Sequence, residues 1–389
     1  MRTYYFTEMP YPDLPPAESY DSARVTLPNR VCDPMVSSKL YNRYLTEWEF
    51  ADAEGLEIMV NEHHQTPTCI NAAAPLILGA LARTTKRARL LVLGNPIANR
   101  RQPVRVAEEM AMIDCMSYGR LDCGFIRGVP FEVSPANSNP VNLYDRFYEA
   151  LDLIVKAWTT HDGPFSHEGR YFHHRMVNIW PRPYQQPHPP IWITGSSDFV
   201  AIRRAAARGF VFATFLQPHV KVKQLFDAYR SAYKLNGQPG GGGTAFMPLV
   251  YVADTESEAE AGMKELIWYM QAKTEAQYRN PPGYAPVETN VQGLKGAFSG
   301  RTDAMRAQGL EFQRDQGVVM YGTPDQLVAQ VKRFYDLVGG FDHLLMMMQA
   351  GFLDHKRTVS NIKLFAKEVY PRIKDLARTK PVSERAAAE

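Results

Sequence analysis

Short apolar runs alternate with longer amphipathic segments along most of the chain. The apolar runs predict eight strands, at residues 1–6, 58–61, 89–93, 121–125, 191–194, 210–214, 246–252 and 343–348. Helical spacing of apolar residues predicts helices at 41–54, 71–83, 104–116, 143–158, 199–208, 220–235, 256–277, 324–338 and 358–369. Regular alternation of strands and helices favours a parallel sheet, and eight such units predict an α/β fold of the (β/α)8 TIM barrel type. An open doubly wound sheet is the alternative, but no GxGxxG motif follows the first strand.

Three weakly patterned segments interrupt this alternation. They cover about residues 7–40, 161–190 and 279–316, and we interpret them as insertions in a single barrel domain that spans residues 1–375. The first is rich in proline and is expected to lie as a loop over one face of the barrel. The second is polar and is expected to form a hairpin. Residues 376–389 are expected to form a flexible tail.

Composition excludes several classes of partner. The 389-residue chain has 44 Lys+Arg and 41 Asp+Glu, and no basic run of five residues, so nucleic acid is not expected as a main partner. The four cysteines form no CxxC pair, which favours reduced thiols. The first residues lack the apolar segment of a secretory signal, and no run approaches the roughly 18–20 apolar residues of a membrane span. We therefore expect a soluble, cytoplasmic protein with no membrane partner.

The polar residues after the second strand are the first candidate for chemistry, because barrel enzymes place their sites at the carboxyl ends of strands. The run Asn61-Glu62-His63-His64 follows this strand directly. A histidine, with a free pKa of about 6.5, suits proton transfer near neutral pH. A purely structural histidine pair is the alternative. Adjacent histidines are a poor metal pair, so no metal site is predicted.

Two further strand ends have residues suited to a phosphate group. Arg127 and Gly128 follow the fourth strand, where a guanidinium can bind an anion and a glycine allows close approach. Gly195, Ser196 and Ser197 follow the fifth strand and precede a helix, whose free N–H groups favour an anion. A surface arginine and an ordinary helix cap are the alternatives, but together the two segments favour a phosphorylated cofactor.

Several short motifs, in this order, resemble those of the bacterial luciferase-like flavin-dependent monooxygenases over about residues 1–375. They are the NEHH run, the segment from Gln102 to Leu121, Arg127-Gly128, Tyr321-Gly322-Thr323-Pro324, and the segment from Leu364 to Pro371. The resemblance implies a luciferase-like barrel with FMN at its mouth. It implies that a separate flavin reductase supplies reduced FMN, which reacts with O2 to a flavin hydroperoxide that oxygenates a small organic substrate.

The same resemblance assigns roles to individual residues. His63 matches the catalytic histidine, and Glu62 is expected to orient or stabilise it. Gly94 and Asn95 match the backbone on which the flavin ring packs, where a non-prolyl cis peptide is expected. Arg127 and Ser196, with their neighbours Gly128, Gly195 and Ser197, match the phosphate-binding groups. Residues 279–316 match a mobile loop that excludes water, and a homodimer is the expected assembly.

The chain departs from true luciferases at Ile126, where those proteins carry a reactive cysteine, so light emission is not implied. Two alternative functions stay open at this point. A deazaflavin-dependent oxidoreductase would use a related barrel for hydride transfer. A flavin-binding barrel without catalysis would not need the acid–base histidine.

Overall fold

A closed barrel of parallel strands organises the protein. The computed structural model describes residues 1–195, 199–235, 242–279, 281–284 and 308–376. In these ranges the strands are β1 (Arg2–Thr7), β2 (Glu57–Val60), β3 (Leu90–Pro96), β4 (Leu121–Ile126), β5 (Phe165–Glu168), β6 (His173–Val177), β7 (Ile191–Thr194), β8 (Val211–Phe215), β9 (Gly243–Met247), β10 (Leu249–Val252), β11 (Val319–Gly322) and β12 (His343–Gln349). The barrel order is β1-β2-β3-β4-β7-β8-β9-β12, and a parallel pairing of β12 with β1 closes it. The predicted eight-stranded barrel is confirmed.

The barrel deviates from the predicted strand pattern near its seventh strand. The run predicted at 246–252 is two strands, β9 and β10, separated at Pro248. Proline has no N–H to donate to a ladder, so the strand breaks there. The second half, β10, pairs in parallel with β11, a strand that the sequence pattern did not predict. All four residues of β11 are buried, so this short segment shows no alternation of polar and apolar positions.

Helices lie between the strands. They are α1 (Pro34–Ala53), α2 (Ala74–Thr84), α3 (Pro103–Met116), α4 (Leu143–Thr159), α5 (Phe199–Ala207), α6 (His219–Leu235), α7 (Glu256–Leu266), α8 (Trp268–Gln271), α9 (Ala276–Arg279), α10 (Leu310–Gln316), α11 (Pro324–Leu337) and α12 (His355–Leu364). The helix predicted at 256–277 is thus three shorter helices. None of the described helices is both long and apolar enough to cross a membrane.

Local capping explains where two of the helices begin. The Asp33 side chain accepts a hydrogen bond from the Met35 N–H at 2.7 Å, and Pro34 occupies the first helical position. This cap starts α1 at Pro34 rather than at the predicted residue 41, so the first loop is shorter than expected. At α11 Thr323 and Gln326 form a reciprocal capping box, which starts the helix at Pro324 as predicted.

The polar segment at 161–190 contains an antiparallel pair, β5 and β6, in which Glu168 faces His173. This confirms the predicted hairpin.

Along the barrel strands, successive side chains belong alternately to two apolar layers. Met347 points into the barrel interior, whereas Met346 and Met348 pack against the surrounding helices. Because successive side chains of a strand point to opposite faces, both layers are filled by the same apolar runs.

The glycine in the middle of β4 is required by the close packing of β3 beside it. A Cβ atom at Gly124 would lie 2.2 Å from the Val92 carbonyl oxygen and 2.5 Å from Leu93 Cδ1. We expect Gly124→Ala to lower the free energy of unfolding by about 1–3 kcal/mol or more, measured by urea unfolding. Gly309→Ala, at a position with open space and a negative φ, is the matched control and should change it by no more than about 1 kcal/mol, the cost of a poorer helix N-cap. Equal stability of the two variants would contradict the packing argument.

Candidate active site

The polar cluster lies at the carboxyl end of the barrel. Glu8 follows β1, the run Asn61 to His64 follows β2, and Arg127 follows β4. Because the barrel strands are parallel, these ends meet at the same rim. The side chain of Asn61 links two of them, since its amide donates a hydrogen bond to Glu8 Oε2 at 2.7 Å.

The His63 ring lies between two carboxylates. His63 is buried, with 6% of its surface exposed. Its Nδ1 lies 2.8 Å from Glu132 Oε1, within hydrogen-bond distance, and its Nε2 lies 3.9 Å from Glu8 Oε2. The backbone N–H of His63 donates to the Asn71 carbonyl at 3.1 Å, which fixes the main chain beneath the ring. With Nδ1 bonded to Glu132, Nε2 is the ring atom left to exchange a proton.

These carboxylates change the protonation of His63. Burial lowers the pKa of His63, but the hydrogen bond and the charge of Glu132, together with the charge of Glu8, outweigh burial and leave the pKa above its ordinary value. Burial raises the pKa of Glu8, although the charge of His63 and the hydrogen bond from Asn61 act in the opposite direction. The two carboxylates therefore keep the His63 ring cationic to a higher pH than a free histidine.

Glu132 was not predicted from the sequence. It ends a short 3-10 helix, Pro130–Glu132, which follows β4. Its Oε1 also accepts the His64 backbone N–H at 3.1 Å. Its buried Oε2 has no hydrogen-bond partner among the described residues. The only sequence signal for Glu132 is its position shortly after a barrel strand.

Glu62 does not contact the His63 ring, contrary to the predicted orienting role. Its Oε1 accepts a hydrogen bond from Arg100 and lies 3.0 Å from His64 Nε2. Its Oε2 accepts the Ala74 N–H at 2.9 Å, at the start of α2. Glu62 therefore fixes the strand end and the following helix, and Glu132 holds the catalytic candidate.

The end of β3 has the features expected of a ring-binding surface. The Leu93–Gly94 peptide is cis, which confirms the non-prolyl cis peptide expected near Gly94 and Asn95. Asn95 is fully buried, and neither amide atom of its side chain has a hydrogen-bond partner among the described residues. Buried amides are almost always paired. Asn95 thus offers both a donor and an acceptor that a polar heterocycle could use.

The register of the strands aligns the predicted phosphate-binding residues. Phe125 of β4 pairs with Ile193 of β7, so Arg127 and Gly195, each two residues further, follow neighbouring strand ends at the same level. The Arg127 guanidinium lies 4.1 Å over the Tyr284 ring and forms no ion pair within the described ranges. Ser196 and Ser197 lie outside the described residues.

The glycine after Arg127 is required by its conformation and by a close neighbour. Gly128 has a φ of +102°, and a Cβ atom there would lie 2.6 Å from Asn99 Nδ2. Its carbonyl accepts a hydrogen bond from the Tyr284 hydroxyl at 2.5 Å. Arg127 and Gly128 are thus both tied to Tyr284, which places the guanidinium beside the strand end.

Comparisons with known proteins concern the family and the fold of this chain. A family model described as "Luciferase-like monooxygenase" matches residues 26–340. The oxygenase component of the flavin-dependent trigonelline monooxygenase of Acinetobacter baylyi is 28% identical over 251 residues, which cover 61% of this chain and 66% of that protein. The matched regions span between 48% and 66% of the length of such curated relatives.

Two solved structures show the same fold. The oxygenating constituent of 3,6-diketocamphane monooxygenase from Pseudomonas putida, in complex with FMN, has a TM-score of 0.71 at 19% identity and covers 95% of this chain and 98% of that chain. An F420-dependent secondary alcohol dehydrogenase has a TM-score of 0.67 at 17% identity and covers 86% and 96%. At these identities the likeness concerns the fold.

Proposed function

This chain belongs to the luciferase-like monooxygenase family, and from that premise we propose that it is the oxygenase component of a two-component system that uses reduced FMN and O2 to oxygenate a small organic substrate. The relative named as an oxygenase component supports a separate flavin reductase as partner. The observation that carries the proposal is the raised pKa and buried position of His63 between Glu132 and Glu8 at the barrel mouth. A barrel that merely stores flavin has no need of such an acid.

The described residues fit a flavin. The unpaired amide of Asn95, with the backbone of Gly94, would face the ring, and Arg127, Gly128 and Gly195 would hold the phosphate, joined by Ser196 and Ser197. Reduced FMN, when bound, supplies the two electrons with which one atom of O2 enters the substrate while the other leaves as water. The fit of a phosphate to the strand ends rests on the unpaired Arg127 guanidinium.

The residues of this chain supply the proton chemistry. Glu132 holds Nδ1 of His63, so the cationic ring presents its second proton at Nε2. That proton can be given to a leaving oxygen atom, and the carboxylate charge of Glu8, whose Oε2 lies 3.9 Å from Nε2, favours the cationic ring before the transfer. Burial of all three side chains excludes water from this exchange. A positioned acid of this kind typically accelerates a reaction by about 10²–10⁴-fold.

The proposal is tested by supplying the protein with NADH, FMN, a general flavin reductase and 18O2, together with a substrate panel. The panel covers aromatic hydroxylation, ring-opening oxygenation and Baeyer–Villiger insertion. We expect at least one product that carries one 18O atom, formed with less peroxide than in a substrate-free control. Hydride transfer with a deazaflavin, and no 18O in any product, would instead identify the deazaflavin-dependent oxidoreductase. Sedimentation and cell fractionation test the proposed homodimer and cytoplasmic location.

A further inference from the structure

Arg24, in the loop after β1, is a buried cation with no acidic partner among the described residues. Only 8% of its surface is exposed. Its guanidinium lies between two aromatic rings, with Cζ 4.6 Å from the centroid of Phe131 and 5.3 Å from that of Tyr269. Its Nε is buried and unpaired, and the guanidinium forms no hydrogen bond or ion pair with the described residues. Buried charges are ordinarily paired because desolvation is costly.

The main chain around Arg24 is fixed on both sides, so its position is built into the fold. The N–H of Val25 donates to the Gln65 carbonyl at 2.9 Å, directly after the NEHH run. The N–H of Ala23 donates to the Lys273 carbonyl at 3.0 Å, and that of Arg24 to Ser22 Oγ at 3.0 Å. These hydrogen bonds therefore fix Arg24 of the loop beside the histidine site.

The neighbours of Arg24 connect it to the reacting end of the site. The Phe131 ring that it covers lies 5.7 Å from the His63 ring. Burial has the largest effect on the pKa of Glu8 and raises it. Several nearby groups lower this pKa, and the charge of Arg24 is one of them. Glu8 does not neutralise Arg24, because no ion pair within 4.0 Å joins them and Asn61 and Tyr269 occupy the carboxylate with hydrogen bonds. No carboxylate of the described residues therefore pairs directly with Arg24.

We propose that Arg24 binds the carboxylate of an organic acid and thereby makes small carboxylates the substrate class of this enzyme. A guanidinium forms two parallel hydrogen bonds with a carboxylate, and the flanking rings hold its plane in place. A single arginine beside Glu8 suits a monoanion better than a dianionic phosphate, for which Arg127 is the candidate. The claim that the organic acid is a substrate rests on the proposed function. The claim that it binds at Arg24 is independent of that function.

Equilibrium binding tests the proposal without turnover. Benzoate, nicotinate and hippurate are titrated by calorimetry against their carboxamides, with and without oxidised FMN. We expect at least one carboxylate to bind wild-type protein 10-fold or more tighter than its amide. Arg24→Gln should abolish that preference, with affinity falling about 10- to 100-fold, and Arg24→Lys should restore part of it. Arg30→Gln, at an exposed position on the same loop, is the matched control and should keep it.

Three results would overturn the assignment. They are the absence of any preference for carboxylates, a preference that survives in Arg24→Gln, and a loss of FMN affinity equal to the loss of carboxylate affinity. Arg24→Gln is expected to fold with an unchanged or higher Tm, because it removes an unpaired buried charge. Since no step needs reduced flavin or O2, a negative 18O2 experiment leaves this test intact, and the two failures can be told apart.

Discussion

His63→Asn is expected to lower coupled oxygenation by about 10²–10⁴-fold, while FMN affinity and Tm stay near their wild-type values. The expected loss is large because Nε2 of His63 is the proton-exchanging atom of a buried site, with Nδ1 held on Glu132 at 2.8 Å. Asparagine can keep one hydrogen bond to Glu132 but cannot carry the proton. FMN affinity should persist because the groups proposed to hold the cofactor are on other strand ends.

The measurement is the rate of 18O-labelled product formation, with peroxide release recorded in parallel. Loss of product with continued O2 consumption and peroxide release is the expected pattern. His173→Asn is the matched control, since His173 is an exposed residue of the β5–β6 hairpin. Wild-type product formation in His63→Asn, or an equal loss in His173→Asn, would contradict the catalytic role.

Glu132→Gln is expected to lower the pKa of His63 and to move the pH dependence of activity with it. In the wild-type protein burial lowers this pKa, but the hydrogen bond and charge of Glu132, together with the charge of Glu8, outweigh burial. An acid at Nε2 is active below the His63 pKa, so activity should fall as pH rises through that pKa. In Glu132→Gln the fall should begin at lower pH. We expect about a 10-fold loss of kcat or more at neutral pH, with KM little changed.

The free energy of unfolding should depend on pH in the same direction as activity. A histidine whose pKa is higher in the folded than in the unfolded state stabilises the fold. This stabilisation is fully present below about pH 6.5 and is lost as pH rises through the folded-state pKa. Glu132→Gln reduces this contribution, so its stability deficit should be larger at about pH 6 than at about pH 8. NMR titration of the imidazole C–H resonances gives the pKa directly, and Glu168→Gln, at an exposed hairpin position, is the control. An unchanged His63 pKa in Glu132→Gln would refute the positioning role.

A double variant distinguishes positioning from general damage. If Glu132 acts through His63, then combining Glu132→Gln with His63→Asn should cost little more activity than His63→Asn alone. The losses of activity caused by substitutions within one hydrogen-bonded unit are less than additive. Full additivity of the two losses would show that Glu132 acts independently of the histidine.

Much of the barrel could be predicted from the chain because its apolar runs record burial locally. A strand buried on both faces, such as β3, begins with a continuous apolar run, and the helix that follows it shows a 3.6-residue spacing. The strand and helix boundaries that were predicted wrongly have the same physical basis. Pro248 divides a continuous apolar run, and β11 is too short to show a period. Asp33 starts α1 inside a segment that composition alone marked as a loop.

The place of the candidate site could be proposed from the sequence, since NEHH and Arg127 directly follow strands that end at one rim. The partners of these residues were not. Glu132 lies 69 residues from His63 along the chain, and Glu8 lies 53 residues from Asn61. Neither acid belongs to a motif, and the adjacent Glu62 turned instead toward Arg100 and the start of α2.

The sequence by itself determined the strand order, the barrel and the histidine at its mouth, because hydrophobic periodicity and strand ends are local properties. Only the tertiary structure decided which charges face that histidine. Closure of the barrel through β1 and β12 brings Glu8 to the rim, and two backbone hydrogen bonds bring Arg24 over Phe131. Electrostatic interactions depend on distance in space, and the fold sets that distance for residues far apart in the chain.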